Sequence, residues 1–262
     1  MFQQILTWQD TLPQLANSKL GNIYLPLEPN KVDVWRANLS LDSSVLQELQ
    51  NTLSEDEKHR ADRFYFPEDK NYYIAARGIL RSILARYLYT KPELIKFSYT
   101  PQGKPYLENN TRENSPEGKN IGIQFNLSHS QNLALYAVAI DCGNHSFDRS
   151  VGIDLEYCRP LPDALALAKR WFLPSEYQEL LTQTNQELNF FRIWTAKEAY
   201  LKATGVGLRD LATVEVIITP ENSLQYKTIN GSKELAQQWS LLELNPAPSY
   251  VATLAIPQSL KT

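Results

Sequence analysis

Two short stretches limit the possible folds more than anything else in the chain. They are Leu133-Ala134-Leu135-Tyr136-Ala137-Val138-Ala139-Ile140 and Tyr250-Val251-Ala252-Thr253-Leu254-Ala255-Ile256. The first is the longest apolar run in the 262 residues, and at 8 residues it is far shorter than the ~20 a helix needs to cross a bilayer. Runs of this length, rich in small and branched side chains, read as strands buried on both faces. Their likeness predicts one α+β unit present twice, with chance similarity of two apolar strands as the competing explanation.

The segments around these strands repeat as well. Leu46, Leu49 and Leu53 recur at helical spacing between Val45 and about Arg63, and Ser54-Glu55-Asp56-Glu57 has the form of a capping box. After Pro67, residues Tyr73, Ala76, Leu80, Ile83, Leu84 and Tyr87 make one apolar helical stripe. Strands are expected at 95–99, 106–107, 122–127 and 133–140, with an exposed loop over Asn109–Asn120. A strand at Val151–Glu156 then precedes helices at 161–171, 174–181 and about 187–203, the last stopped by Gly205 and Gly207. Strands at 214–218, 239–244 and 250–256 close the chain. The expected fold is therefore α+β, with two pseudo-symmetric halves, residues 1–147 and 148–262, and a cleft between them.

Composition removes several function classes. With 43% apolar residues, 21% charged residues and a net charge of −3, the chain is globular rather than disordered. It lacks the basic excess of a nucleic-acid binder. No basic start followed by an apolar core opens it, so no secretory signal is read. Cys142 and Cys158, with His59, His129 and His145, cannot build a disulfide framework or a four-ligand zinc site. The expectation is a soluble protein of a reducing compartment, the cytoplasm.

Four segments hold groups suited to chemistry. In Val151-Gly152-Ile153-Asp154-Leu155-Glu156, strand alternation puts Asp154 and Glu156 on one face. Like charges so placed repel unless solvent or a cation screens them. An exposed face satisfies this, and so does a hard-cation site, which the apolar flanks favour. In Trp194-Thr195-Ala196-Lys197-Glu198-Ala199-Tyr200-Leu201-Lys202, the spacing of four aligns Trp194, Glu198 and Lys202 on one helical face, with Lys197 beside them. A solvated ion pair is the simple explanation; the neighbouring Trp argues for partial burial and a task. Phe125-Asn126-Leu127-Ser128-His129-Ser130 reads as a strand end whose polar corner offers a hydroxyl, backbone N–H groups and an imidazole to a phosphate. Gly103-Lys104-Pro105 is a turn with one basic side chain.

Taken together and in this order, the four segments resemble the 4′-phosphopantetheinyl transferase superfamily in its longer, Sfp-type (surfactin-synthetase-activating) branch. The likeness runs from about Leu53 to about Gly207, and the Gly-Ile-Asp-x-Glu and Trp-x-x-Lys-Glu-Ala elements are its most specific part. It implies transfer of the 4′-phosphopantetheine arm of coenzyme A to a serine of an apo acyl or peptidyl carrier protein, releasing adenosine 3′,5′-bisphosphate. The resemblance assigns Asp154, Glu156 and Glu198 to a Mg²⁺ site, with Mn²⁺ as the alternative metal. It makes Glu198 the general base and Lys202 the group at the leaving phosphate. Arg60, Lys104, Ser128, His129, Lys197 and Lys202 are implied coenzyme A contacts. The 1–147 half is then the adenosine side, the 148–262 half the catalytic side, and the protein a monomer. Lys169, Arg170, Trp171 and Phe172 are candidates for carrier docking or, for the two aromatics, core packing. Competing functions are a non-catalytic binder of coenzyme A or carrier domains and another Mg²⁺-dependent phosphotransferase or nuclease.

Overall fold

The computed structural model describes residues 6–10, 31–108, 122–141 and 150–260. The loop expected over Asn109–Asn120, Cys142, His145 and the 147/148 division lie outside the described residues. So does most of the first 30 residues.

The chain order is β1 (Leu6–Asp10), β2 (Val32–Asn38), α1 (Ser43–Thr52), α2 (Glu55–Ala61), α3 (Pro67–Leu88), β3 (Phe97–Tyr99), β4 (Pro105–Leu107), β5 (Gly122–Ser130) and β6 (Leu133–Asp141). It continues with β7 (Gly152–Tyr157), α4 (Ala164–Trp171), α5 (Pro174–Thr182), α6 (Gln186–Thr204), β8 (Val214–Ile218), β9 (Leu224–Ile229), α7 (Lys233–Gln237), β10 (Trp239–Leu244) and β11 (Tyr250–Pro257). Setting β1 and α7 aside, each run is strand, two short helices, long helix, two-stranded hairpin, strand, strand. The sheets agree: β1-β2-β6-β5 in one half and β10-β11-β7 in the other, so β6 and β11 each lie between two partners. These are the two apolar strands of the sequence. Their central position explains their composition, since a middle strand is covered on both faces. The fold is α+β and doubled, as expected, and β2 is the counterpart of β7 that the sequence reading omitted.

Each long helix covers its own sheet. Ile79, Leu80, Ile83 and Leu84 of α3 pack with Trp35, Phe125, Tyr136 and Val138 in one core. Phe190, Ile193, Ala196 and Tyr200 of α6 are in another core, with Val214, Val216 and Leu224 of the β8-β9 hairpin and with Leu241 of β10 and Val251 of β11 packed against it. A third core joins the halves: Val32, Val34, Leu133 and Leu135 meet Val151, Ile153, Leu155, Leu254 and Ile256. Gly152 sets how closely β7 lies against α6. A Cβ there would fall 2.0 Å from the Ala199 carbonyl oxygen and 2.4 Å from the Ala203 nitrogen, so no other residue fits without parting strand and helix.

The halves also share a buried ion pair. Ser54–Glu57 is a capping box, as the sequence indicated, and its Glu57 is 1% exposed. That carboxylate accepts from Arg77 at 2.7 Å and Arg81 at 2.6 Å, both on α3. In the second half Glu176 reaches back to the Leu173 N–H at 2.7 Å and receives the Lys197 ammonium of α6 at 2.6 and 2.8 Å. In both halves, then, the acid that starts a short helix fastens it to the long helix. We expect Glu176→Ala to leave the Lys197 charge buried and uncompensated, lowering stability by about 3–5 kcal/mol. Urea unfolding measures this; a loss below about 1 kcal/mol, the range of an exposed pair, would contradict it.

Candidate functional site

The chemistry-bearing residues meet where β5, β7 and α6 converge. β7 pairs on one side with β11, Asp154 opposite Thr253. On its other side no strand among the described residues completes the ladder, and side chains of β5 do so instead. Asn126 Oδ1 accepts from the Ile153 N–H at 2.9 Å, Ser128 Oγ from Leu155 N–H at 3.2 Å, and Ser130 Oγ from Tyr157 N–H at 3.1 Å. These β5 residues are not the corner expected from sequence. The strand continues through Ser130, and its backbone pairs with β6 as far as Ser130 opposite Leu133. The expected turn at 126–130 is therefore corrected to strand, its backbone paired on one side with β6.

Asp154 and Glu156 lie on the face of β7 opposite the apolar Ile153 and Leu155, on the side covered by α6. Asp154 is 4% exposed. Its Oδ1 receives Lys202 Nζ at 2.6 Å and Ser128 Oγ at 3.0 Å, while its Oδ2 is buried with no hydrogen-bond partner. Glu156 is half-buried and receives the Ser130 hydroxyl at 3.2 Å. Burial and the nearby Asp154 charge raise its pKa above the usual carboxylate range. Glu198 projects from α6 into the same region. Burial first, then the Asp154 and Glu156 charges, push its pKa up to about 7 against the opposing pull of Lys202. Fully ionised, the three acids are met by the Lys202 ammonium and the Arg159 charge near Glu156, so the cluster has an excess of negative charge in a part-buried site. Among the described residues no three such side chains are already closed around a common point. The acids converge electrostatically, and serine and lysine hold two of them meanwhile.

The remaining sequence candidates divide. Lys202 is in the cluster, its ammonium also 2.9 Å from Ser128 Oγ. His129 is exposed on the other face of β5, crowded by surrounding protein, and that crowding with the Lys202 charge lowers its pKa. Ser128 is buried, and its hydroxyl is engaged by Asp154, Lys202 and the Leu155 N–H of β7. Lys197 leaves the set. It is 0% exposed, and its Nζ serves Glu176 and the Val214 carbonyl. Five residues from Lys202, it projects about 140° around the helix, away from β7. Lys104 crosses between the halves to donate to the Ala203 carbonyl at the end of α6, beside Gly205, whose φ of 75° ends the helix. Burial lowers its pKa to about 8. Arg60 is exposed on α2 with its guanidinium over the Tyr73 ring. Phe172 is core, stacked on Phe190; Lys169 and Arg170 are exposed. Ser130 was missed in the sequence reading. Its signal was the period-two Asn-x-Ser-x-Ser pattern of 126–130, the alternation of a strand.

Two family models match the chain: one described as "4′-phosphopantetheinyl transferase superfamily" over residues 150–255, the other as "4′-phosphopantetheinyl transferase, N-terminal" over residues 39–141. The 4′-phosphopantetheinyl transferase HetI of Nostoc sp. is 46% identical over 245 residues, 90% of this chain and 94% of that protein. A relative from Synechocystis sp. is 35% identical over 202 residues, 76% of this chain and 75% of its own length. The 4′-phosphopantetheinyl transferase Sfp of Bacillus subtilis is 28% identical over 165 residues, 62% of this chain and 64% of that protein.

The raised Glu198 pKa has a measurable consequence for stability. A carboxyl whose pKa rises on folding favours the folded state when protonated, so that stability is full below its unfolded value and is lost as pH climbs through about 7. Glu198→Gln cannot ionise and escapes the loss. In chelator, its melting temperature should match the native chain near pH 4.5 and exceed it increasingly up to pH 8. Parallel melting curves across that range would refute the assignment.

Proposed function

The chain belongs to the 4′-phosphopantetheinyl transferase superfamily, and on that premise we propose that it moves the 4′-phosphopantetheine arm of coenzyme A onto a serine of an apo carrier protein, with adenosine 3′,5′-bisphosphate as the second product. The observation that carries the site assignment is Asp154: one oxygen held by Lys202 and Ser128, the other buried and without a partner, beside two further acids.

Asp154, Glu156 and Glu198 suit a hard divalent cation, Mg²⁺ or Mn²⁺. The donors are all carboxylate oxygens, and the cluster is short of positive charge. When bound, such a cation offsets negative charge on the pyrophosphate of coenzyme A. Glu198 is the base that accepts the proton of the carrier serine hydroxyl; its pKa of about 7 suits that task near neutral pH. The serine oxygen forms a bond to the β-phosphorus as the bond from that phosphorus to the α-phosphate oxygen breaks. Lys202, one helical turn from Glu198, presents its ammonium to the charge that develops on the departing α-phosphate. In this reading Lys202 exchanges its contact with Asp154 for one with the substrate. His129, Arg60 and Lys104 line the adenosine side, in the half that holds β5. Both halves of the site come from one chain, which supports action as a monomer, and the free Cys158 thiol fits the reducing cytoplasm. The exposed Lys169 and Arg170 are left for the carrier.

Intact-mass measurement of an apo carrier incubated with the protein, coenzyme A and Mg²⁺ tests this directly. Asp154→Ala, Glu156→Ala and Glu198→Ala should each slow transfer by about 10²-fold or more, and Lys202→Ala should lower kcat rather than carrier KM. Transfer at the native rate by all three acid variants would remove the basis of the assignment.

A further inference from the structure

β5 offers β7 three rungs, and two of them do more than complete a backbone. Ser128 Oγ accepts from the Leu155 N–H and donates to Asp154 Oδ1; two residues on, Ser130 Oγ accepts from the Tyr157 N–H and donates to Glu156 Oε2. Each serine thus takes the amide just after an acid and gives its own proton to that acid. Asn126 makes the same backbone contact at Ile153, but the residue before Ile153 is Gly152, so this rung holds no carboxylate.

A hydroxyl has one proton and two lone pairs. At Ser128 all three are in use, for Asp154, the Leu155 N–H and Lys202. Rotation would leave a buried N–H unpaired, so the hydroxyl is fixed and it fixes Asp154 Oδ1. Oδ2 is the oxygen left over, buried and unbonded.

We propose that Ser128 and Ser130 are positioning residues for the reaction: held on one half of the molecule, they orient the two β7 acids of the other half, each tying one carboxylate oxygen so that its partner oxygen faces the cation. The proposal rests on the metal assignment made above for Asp154 and Glu156. It makes the acid pair dependent on docking of the halves, because neither serine belongs to the half that carries the acids.

The test uses the full chain. Transfer is followed as a function of Mg²⁺, and Mn²⁺ binding is measured by electron paramagnetic resonance with coenzyme A present. Ser128→Ala and Ser130→Ala should each raise the Mg²⁺ concentration for half-maximal rate, and the Mn²⁺ dissociation constant, about tenfold. Much of the rate should return at saturating Mg²⁺, and the Thr variants, which keep the hydroxyl, should restore both values. Asn126→Ala should lower the melting temperature without moving the Mg²⁺ half-saturation. A merely structural role for the serines predicts the same pattern for all three Ala variants: less folded protein, lower rate at every Mg²⁺ concentration, unchanged half-saturation. That pattern, or native metal affinity in both serine variants, overturns the proposal. Native Mn²⁺ binding without transfer would overturn the enzymatic reading while the Mn²⁺ series still decides the serines. Failure of the native chain to bind Mn²⁺ would overturn both.

Discussion

A strand with only one strand partner has a row of backbone groups to satisfy, and at β7 that need organises the molecule. Its N–H groups at Ile153, Leu155 and Tyr157 face the other half, where Asn126, Ser128 and Ser130 meet them in place of a neighbouring strand's carbonyls. Side chains reach farther than a backbone and end in groups that can bond twice. The halves therefore join by a ladder that leaves hydrogen-bonding capacity for the acids beside it. An ordinary strand pairing would have used up the same backbone edge and offered nothing to Asp154 or Glu156.

The doubling of the fold explains why two lysines near each other in sequence have unrelated roles. In each half the acid of a short helix holds a cation from the long helix, Glu57 with Arg77 and Arg81, Glu176 with Lys197. Lys197 is thus the second half's version of an internal fastening. Lys202, with no counterpart in that fastening, lies on the face that meets β7 and pairs with Asp154. Burial separates the two electrostatically as well: it lowers the Lys197 pKa, with the Glu176 carboxylate acting against the shift, whereas Lys202 is part-exposed and can exchange partners.

Excess negative charge is the functional counterpart of that arrangement. Burial and mutual repulsion push the Glu198 pKa up to about 7 and raise that of Glu156, while Asp154 is kept in place by a lysine and a serine. A cluster of this kind resists full ionisation, so the proposed metal affinity would be coupled to pH. Apolar surroundings strengthen that repulsion, and packing holds the strand in place against it: Ile153, Leu155 and Leu254 on one side of β7, α6 packed on Gly152 on the other.

Much of this was legible in the residue order. Apolar runs, capping signals and periodicity located the long helices, the two central strands and the acids of β7 and α6, because each is fixed by interactions within a few residues along the chain. Spacing of four put Glu198 and Lys202 together, since helix geometry is local. The structure alone decided which partner each polar side chain takes. Ser128 and Lys197 were both expected as phosphate contacts; the Ser128 hydroxyl is turned to Asp154, and Lys197 is buried against Glu176, 21 residues away in sequence. Ser130 and β2 escaped notice because their importance comes from elements far along the chain, β7 for one and β6 for the other. Sequence determines what a segment becomes through short-range sterics and hydrophobic pattern. Which buried polar groups meet depends on long-range docking, where every donor and acceptor must be satisfied at once.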